Sequence, residues 1–435
     1  MNAASTNSGR SDPAAGHWDS VGILLAALVF LFPSLVATTG GGGSYVYALL
    51  LAAGLVWGRG WRDLDRGEAL LLMGLGGAFL AMALSLVNTA DIGLGLARME
   101  RFARIASIAL IFPMFRRKGR SLHRSLGLGA ILATVVMAGQ AWVQVEYLGL
   151  EQAMGFYHPI VFGDLAILWG CLGVLFALTA VRGWTAWLMA SVAAGAATYA
   201  SVLSQARGGW LFVPVFLVVL GWMFRAHGPS NRGLRRGIAV VVLSGVVIGL
   251  WQSEPIVDRV RLAASDLRTF TEDPAAETSW GIRLNLWRNS LLLAREHPVI
   301  GSGLGDFQHE MREMVEDGRS WNPWVADYAH AHSIYFDALA NAGLVGLMAT
   351  VLAYLVLPFR FFGGILSTVQ TSRGRFSAMG GLVTVLAFTT FGLSEALWTR
   401  NPFVNTYVLC MAVFLAGLPR EASSPVRLDR HDPVG

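Results

Sequence analysis

Apolar residues run through this chain in about a dozen stretches, near 20–38, 43–58, 67–88, 101–115, 125–146, 159–181, 184–204, 207–225, 235–252, 333–359, 376–396 and 402–418. At about 1.5 Å of helix per residue, most are long enough to cross the roughly 30 Å hydrocarbon core of a bilayer. One polar interruption of roughly 80 residues, Gln252 to Ser333, separates the ninth from the tenth. The pattern predicts an all-α integral membrane protein of about 12 transmembrane helices with one large, mostly helical extramembrane loop. It divides the chain into a disordered tail over 1–19, a bundle of about nine spans over 20–252, a loop domain over 253–332, about three further spans over 333–418, and a second tail over 419–435.

Composition agrees: hydrophobic residues make up 54% of the 435 and charged residues 14%, which excludes a soluble globular domain. Charge then orients the bundle. If every span crosses, Arg59/Arg62/Arg66, Arg116/Arg117/Lys118/Arg120/Arg124, Arg225/Arg232/Arg235/Arg236, Arg360/Arg373/Arg375 and Arg420/Arg427/Arg430 fall on one side. The positive-inside rule makes that side the cytoplasm, with both termini there and the long loop outside the inner membrane. These loops account for the sequence pI near 9.5, so no nucleic-acid partner is implied. Asp12 and Asp19 before the first span, and the many spans after it, argue for a retained helix rather than a cleaved signal peptide. Cys171 and Cys410 lie inside apolar spans, which leaves no disulfide framework or thiolate metal site. The 50 glycines suit closely packed helices, with Gly74, Gly76 and Gly77 as an example.

The informative cations are those left on the outer face. Arg98, Arg101, Arg104, Arg207 and Arg400 each sit near a span end, where snorkelling to headgroups is the ordinary role of an arginine. Arg207 departs from it, because Ser204-Gln205-Ala206-Arg207-Gly208 is a tight reversal between two spans that ties the side chain to the bundle. Within the loop, Ile256, Val260, Ala263, Leu267 and Phe270 recur at spacings of four and three, predicting an amphipathic helix. A second helix runs from about Ser279 to Glu296 and ends at His297-Pro298, with Arg283 and Trp287 on one face and Arg288 turned away. Gly301-Ser302-Gly303-Leu304-Gly305 follows, read as a connector or as a turn whose N–H groups face a phosphate. The loop closes on His330-Ala331-His332-Ser333. Two histidines at i and i+2 can share a metal, yet no other Cys or His is placed to complete a site, so no metal and no cofactor are expected. An imidazole at the membrane boundary suits a general base, and a solvent-facing or capping histidine is the plainer alternative.

Taken in order, Ser204-Gln205-Ala206-Arg207-Gly208, Arg283-Leu284-Asn285-Leu286-Trp287, His297-Pro298 to Phe307, His330-Ala331-His332-Ser333 and Asn341-Ala342-Gly343-Leu344-Val345-Gly346 resemble the O-antigen ligase and polymerase superfamily, most closely the ligases. His158-Pro159-Ile160-Val161-Phe162-Gly163-Asp164 is similar to a further family segment. The strong resemblance covers about residues 200 to 346. Ser333 departs from it, since the family often has Asn after this histidine.

The resemblance implies a C-type glycosyltransferase of the bacterial inner membrane whose active site faces the periplasm. Its donor is a glycan linked to undecaprenyl diphosphate, its acceptor is lipid A-core, and membrane lipids surround it. His332, Arg207 and Arg283 match the family's functional set. The chemistry fits: guanidiniums hold a departing diphosphate through bidentate bonds without a metal, and the imidazole takes the proton of the attacking hydroxyl. Arg207, Arg283, His330, Trp287, Asp164 and Asp337 are candidate substrate contacts. Arg98, Arg101 and Arg104, at spacings of three, form a basic stripe expected to meet acceptor phosphates. Asp306, Asp327, Asp337 and Asp164 are the carboxylates considered for orienting His332. A polymerase joining lipid-linked repeats, a protein O-oligosaccharyltransferase and a transporter remain alternatives.

Overall fold

The computed structural model describes residues 20–58, 64–118, 121–226 and 253–419, without the side chains of 223–226, 253–260 and 263–264. Every regular element among the described residues is helical. The helices are α1 (Ser20–Thr38), α2 (Gly42–Trp57), α3 (Arg66–Leu84), α4 (Ile92–Ala106), α5 (Ile108–Lys118), α6 (Leu122–Trp142), α7 (Pro159–Ala180), α8 (Trp184–Ser204) and α9 (Phe212–Ala226). After residue 252 come α10 (Ser253–Glu272), α11 (Ser279–Glu296), α12 (Phe307–Glu316), α13 (Ile334–Met348), α14 (Leu357–Leu366), α15 (Ser372–Phe391) and α16 (Asn401–Gly417). Six described segments are long and apolar enough to cross a membrane: Ser20–Thr38, Arg66–Val87, Leu122–Tyr147, Pro159–Ala180, Trp184–Ser204 and Ile334–Leu366. Shorter apolar helices are Gly42–Trp57, Gly208–Trp222 and Asn401–Gly417. The chain is thus a multi-pass helical membrane protein. The expected ninth span at 235–252, the tail 1–19 and residues 420–435 lie outside the described residues.

Two helices form the centre. α7 and α16 are apolar all round and buried along almost their whole length, as a helix without a polar face must be. Small residues bring neighbours close. A methyl group on Gly129 would lie 2.2 Å from the Phe30 carbonyl oxygen, and one on Gly170 would lie 2.4 Å from Ala197 Cβ. Of the three glycines offered as a packing example, only Gly74 serves, against Leu357; Gly76 and Gly77 would meet nothing within 4 Å.

The expected fourth span is two helices instead. α4 and α5 meet at Ser107, whose N–H still donates to Ala103 O and whose hydroxyl donates to Arg104 O at 2.6 Å. At 15 and 11 residues, neither half alone reaches across the hydrocarbon. The division follows from Arg98, Arg101 and Arg104, which make α4 amphipathic while α5 is apolar up to Phe115.

Contacts separate the two ends of the bundle. At one, Arg116 pairs with buried Glu68 at the start of α3, and Arg373 donates to Ala416 O near the end of α16. At the other, Asn88 after α3 donates to Gly301 O, and the residues between α15 and α16 meet those that open α13. Arg116 and Arg373 therefore occupy the end of the bundle opposite the loop domain.

The loop domain has a small core of its own, built from Ile282, Leu286, Leu293, Phe307, Met311, Met314, Val325, Ala331 and Ala340. Its glycine-rich turn is a structural connector rather than a phosphate cradle: Ser302 N–H donates to Ala340 O and Gly303 N–H to Asn341 O. The turn locks onto a break in α13, where Gly343 takes φ 60 and the amides of Leu344 and Val345 donate to Pro298 O and Val299 O. Gly301 has φ 73, and a Cβ there would fall 2.3 Å from Ala342 N. Gly301→Ala is therefore expected to cost more than about 1 kcal/mol, because both the backbone conformation and the space reject a methyl group. A fall in thermal midpoint of the detergent-purified variant checks this; an unchanged midpoint refutes the lock.

Candidate functional site

The residues from Tyr328 to Ile334 leave the loop domain and enter the bundle as a clamped strap. Arg98 donates to Ala329 O at 2.6 Å, Trp287 Nε1 to Ala331 O at 3.0 Å, and Ala331 N–H to Asp337 Oδ1 at 3.3 Å. Beyond them, Ser333 Oγ and Ile334 N–H both donate to Gly392 O. Trp287 stacks on Phe336 with ring centroids 5.0 Å apart. The clamp holds His332 at φ 49, a left-handed conformation that typically costs a β-carbon residue about 1–3 kcal/mol and that clusters at functional sites.

His332 meets a carboxylate that sequence reasoning missed. Glu395, fully buried in the turn between α15 and α16, accepts from His332 Nδ1 at 3.3 Å. Its other oxygen lies 3.5 Å from Arg400 Nε and 3.8 Å from His330 Nε2, while Arg400 Nη2 is 3.1 Å from that same imidazole nitrogen. Burial alone would raise the Glu395 carboxyl, but the His332 hydrogen bond and the charges of His330, His332 and Arg400 prevail and hold it down at about 2. His330 moves down too, to about 3, mainly because burial disfavours its charged form; Glu395 opposes this, and His332, Arg400 and Arg98 reinforce it. With Nδ1–H directed at an ionised carboxylate, Nε2 of His332 is left with its lone pair, the tautomer a base requires.

A signal for Glu395 existed. Across 376–418, Glu395 and Arg400 are the only Asp, Glu, Lys or Arg residues, and an ionisable group within an apolar stretch is by default a functional candidate.

The arginines arrive from two other directions. Gln205 takes φ 57 to end α8, and the chain reverses as expected before the short helix Gly208–Leu211. Gly208 backs onto the turn that carries the carboxylate: a methyl group there would lie 2.3 Å from Ser394 Oγ. Gly209 faces buried Asp164, where a Cβ would come within 2.7 Å of Oδ1. Half-buried Arg207 thus immediately precedes the residue that packs on Ser394, the neighbour of Glu395 in sequence. Arg283, on α11, lies over Trp280 at 6.0 Å and within the electrostatic reach of Glu395, Tyr328 and Asp164, with burial pushing its pKa below the ordinary guanidinium value. His158 caps α7 and feels Arg400, Glu395, His332 and Arg283. Of the expected residues, His332 and His330 face Glu395, Arg283 and Asp164 lie within its electrostatic reach, and Arg207 precedes the glycine that packs on Ser394. Trp287, Asp337 and Arg98 hold the strap. Arg104 diverges, since it pairs with Glu100 and donates to Asn405 Oδ1 at 3.0 Å. Asp306 accepts from Ala90 N–H at 2.6 Å, away from His332.

His330, His332 and Glu395 also present one ligand atom each within 4.8 Å, the third ligand that the sequence lacked. Arg400 changes the meaning of that cluster. Its guanidinium already faces both Glu395 Oε1 and His330 Nε2, so a dication on those atoms would meet a fixed positive charge.

The His330 shift has a consequence for stability. A histidine held at about 3 in the fold but near 6.5 when unfolded binds more protons in the unfolded chain between those values, so its contribution is full above about 6.5 and is lost as pH falls toward 3. Thermal midpoints taken at pH 7 and pH 5 are expected to fall less for His330→Gln than for the wild type. An equal fall contradicts a neutral buried His330.

A multi-span helical bundle with a helical cap, presenting one ion-held imidazole and two arginines at the bundle's end, is the class that fold and site define. Residues 190–351 match the family model described as "Wzy_C: O-Antigen ligase", so this part of the chain is similar to the O-antigen ligases. Members of that family are glycosyltransferase-like enzymes acting on lipid-linked sugars. An "Uncharacterized protein" of Haemophilus influenzae (strain ATCC 51907 / DSM 11121 / KW20 / Rd) is 22% identical over 347 residues, covering 78% of this chain and 83% of the relative.

Proposed function

We propose that this protein transfers a glycan from undecaprenyl diphosphate to a sugar hydroxyl of lipid A-core at the periplasmic face of the inner membrane, as an O-antigen ligase. The observation that carries the reading is the buried Glu395–His332 pair beside the Arg207 turn and Arg283. His332 Nε2 takes the proton of the acceptor hydroxyl as that oxygen attacks the anomeric carbon. The new C–O bond forms on the face opposite the leaving group, the bond to the phosphate oxygen breaks, and the anomeric centre inverts. Glu395 holds the imidazole in place and stabilises the imidazolium that results. Arg207 and Arg283 receive the charge that gathers on the departing diphosphate. The reaction as written uses no metal, because two permanent cations do the work a dication would otherwise do.

Support for ligation over polymerisation comes from a strain deleted for the gene. Polymer accumulating on the lipid carrier above bare lipopolysaccharide core is the expected result. Core capped with a single repeat assigns polymerisation instead, and unchanged envelope glycans reject both. Retention of transfer in chelator is expected; loss in chelator, restored by a divalent metal, would give the His330–His332–Glu395 cluster a different role.

A further inference from the structure

A cleft of about 620 Å³ has His330 in its wall, and its lining is strongly cationic: Arg98, Arg101, Arg312 and Arg400, with His309 and His330. Two carboxylates share the lining, but both are committed. Asp91 caps α4 by accepting from Gly93 and Leu94 N–H, and Asp306 accepts from Ala90 and Asp91 N–H. The arginines therefore keep donors to spare. Arg101 places one Nη on Ala97 O, while its buried Nε finds no hydrogen-bond acceptor among the described residues. It also lies in the fields of Arg98, Arg104 and Arg400, with Glu100 alone opposing. Clustered guanidiniums of this kind are relieved by a bound anion.

The surroundings indicate where that anion comes from. Val87, Ile92, Leu94 and Leu96, at the turn into α4, are exposed large apolar side chains, and Leu94 lines the cleft itself. A soluble anion has no use for such a row, whereas the acyl chains of a lipid cover it. His330 lies on the cleft wall with its ring 4.4 Å from that of His332.

We propose that this cleft binds the phosphate groups of a lipid-anchored acceptor, as a second anion site separate from the one assigned to the donor diphosphate at Arg207 and Arg283. The proposal rests on the glycosyl-transfer reading and deepens it by naming the acceptor's chemistry: a glycolipid recognised by its phosphates. It also revises the basic stripe, keeping Arg98 and Arg101, adding Arg312 and Arg400, and leaving Arg104 out.

The test measures binding without chemistry. Full-length protein in nanodiscs is titrated with a phosphorylated lipid A-core glycolipid, with the same glycolipid after phosphatase treatment, and with inorganic phosphate as competitor. The wild type is expected to bind the phosphorylated form at least about tenfold more tightly than the treated one, and Arg101→Gln/Arg312→Gln to lose about tenfold or more for the phosphorylated form only. Equal affinity for both glycolipids, or no loss in the double variant with an unchanged thermal midpoint, overturns the proposal. Displacement by inorganic phosphate at the glycolipid's own affinity overturns the lipid assignment. Transfer is assayed separately, so phosphate-dependent binding with no product from the wild type counts against the reaction alone, and transfer with phosphate-indifferent binding counts against the cleft alone.

Discussion

Glu395→Gln is expected to lower kcat by about a hundredfold to ten-thousandfold while leaving the donor KM near the wild-type value. The change is almost isosteric, so what it removes is the charge. A Gln oxygen can still accept from His332 Nδ1, but it no longer stabilises the imidazolium as the proton arrives, and its amide can turn to present N–H and reverse the tautomer. It also leaves the guanidinium of Arg400 beside two imidazoles with no counter-charge, which penalises a protonated His332 further. Glu395→Asp keeps the charge but shortens the reach across a 3.3 Å contact, so an intermediate loss is expected. Steady-state kinetics on purified protein check the pair. A Gln variant with unaltered kcat assigns Glu395 a purely structural role.

The second large effect belongs to the arginines. Arg207→Ala and Arg283→Ala are each expected to reduce kcat by about 10²–10³, the usual cost of removing one donor aimed at developing charge. Lysine should recover little at either position, because a point charge on a flexible stem does not reproduce the paired donors of a guanidinium. Arg288→Ala serves as the comparison. It lies on the same helix but stacks 3.9 Å over Trp321 and donates to Arg319 O, so its loss should lower stability rather than turnover. Equal kinetic effects of Arg283→Ala and Arg288→Ala contradict the assignment.

Much of this was legible in the sequence wherever a local pattern carries the information. Apolar length and terminal residues gave Trp184–Ser204 and Ser279–Glu296 at their observed bounds, the latter ended by His297-Pro298. Resemblance to the O-antigen ligases, more than any local pattern, singled out Arg207, Arg283 and His332 as candidates. The carboxylate partner was hidden because it lies 63 residues from His332, inside a stretch whose hydropathy one acid does not disturb. The aspartates nearer in sequence were sound candidates by distance along the chain, but backbone amides claim Asp306 and Asp337. The fourth span misled for a related reason. A window sums hydropathy across Ser107 and cannot register that the residues before it form an amphipathic helix with its charged face on a cleft. The break at Gly343 was equally invisible, since it depends on carbonyls of Pro298 and Val299 that only the fold supplies.

The central claim is that His332 accepts the proton of the attacking hydroxyl. Purified full-length protein, supplied with undecaprenyl diphosphate-linked glycan and lipid A-core, tests it through His332→Ala. The account predicts no glycan on the acceptor, with donor binding and thermal midpoint retained. Transfer at the wild-type rate by His332→Ala contradicts it.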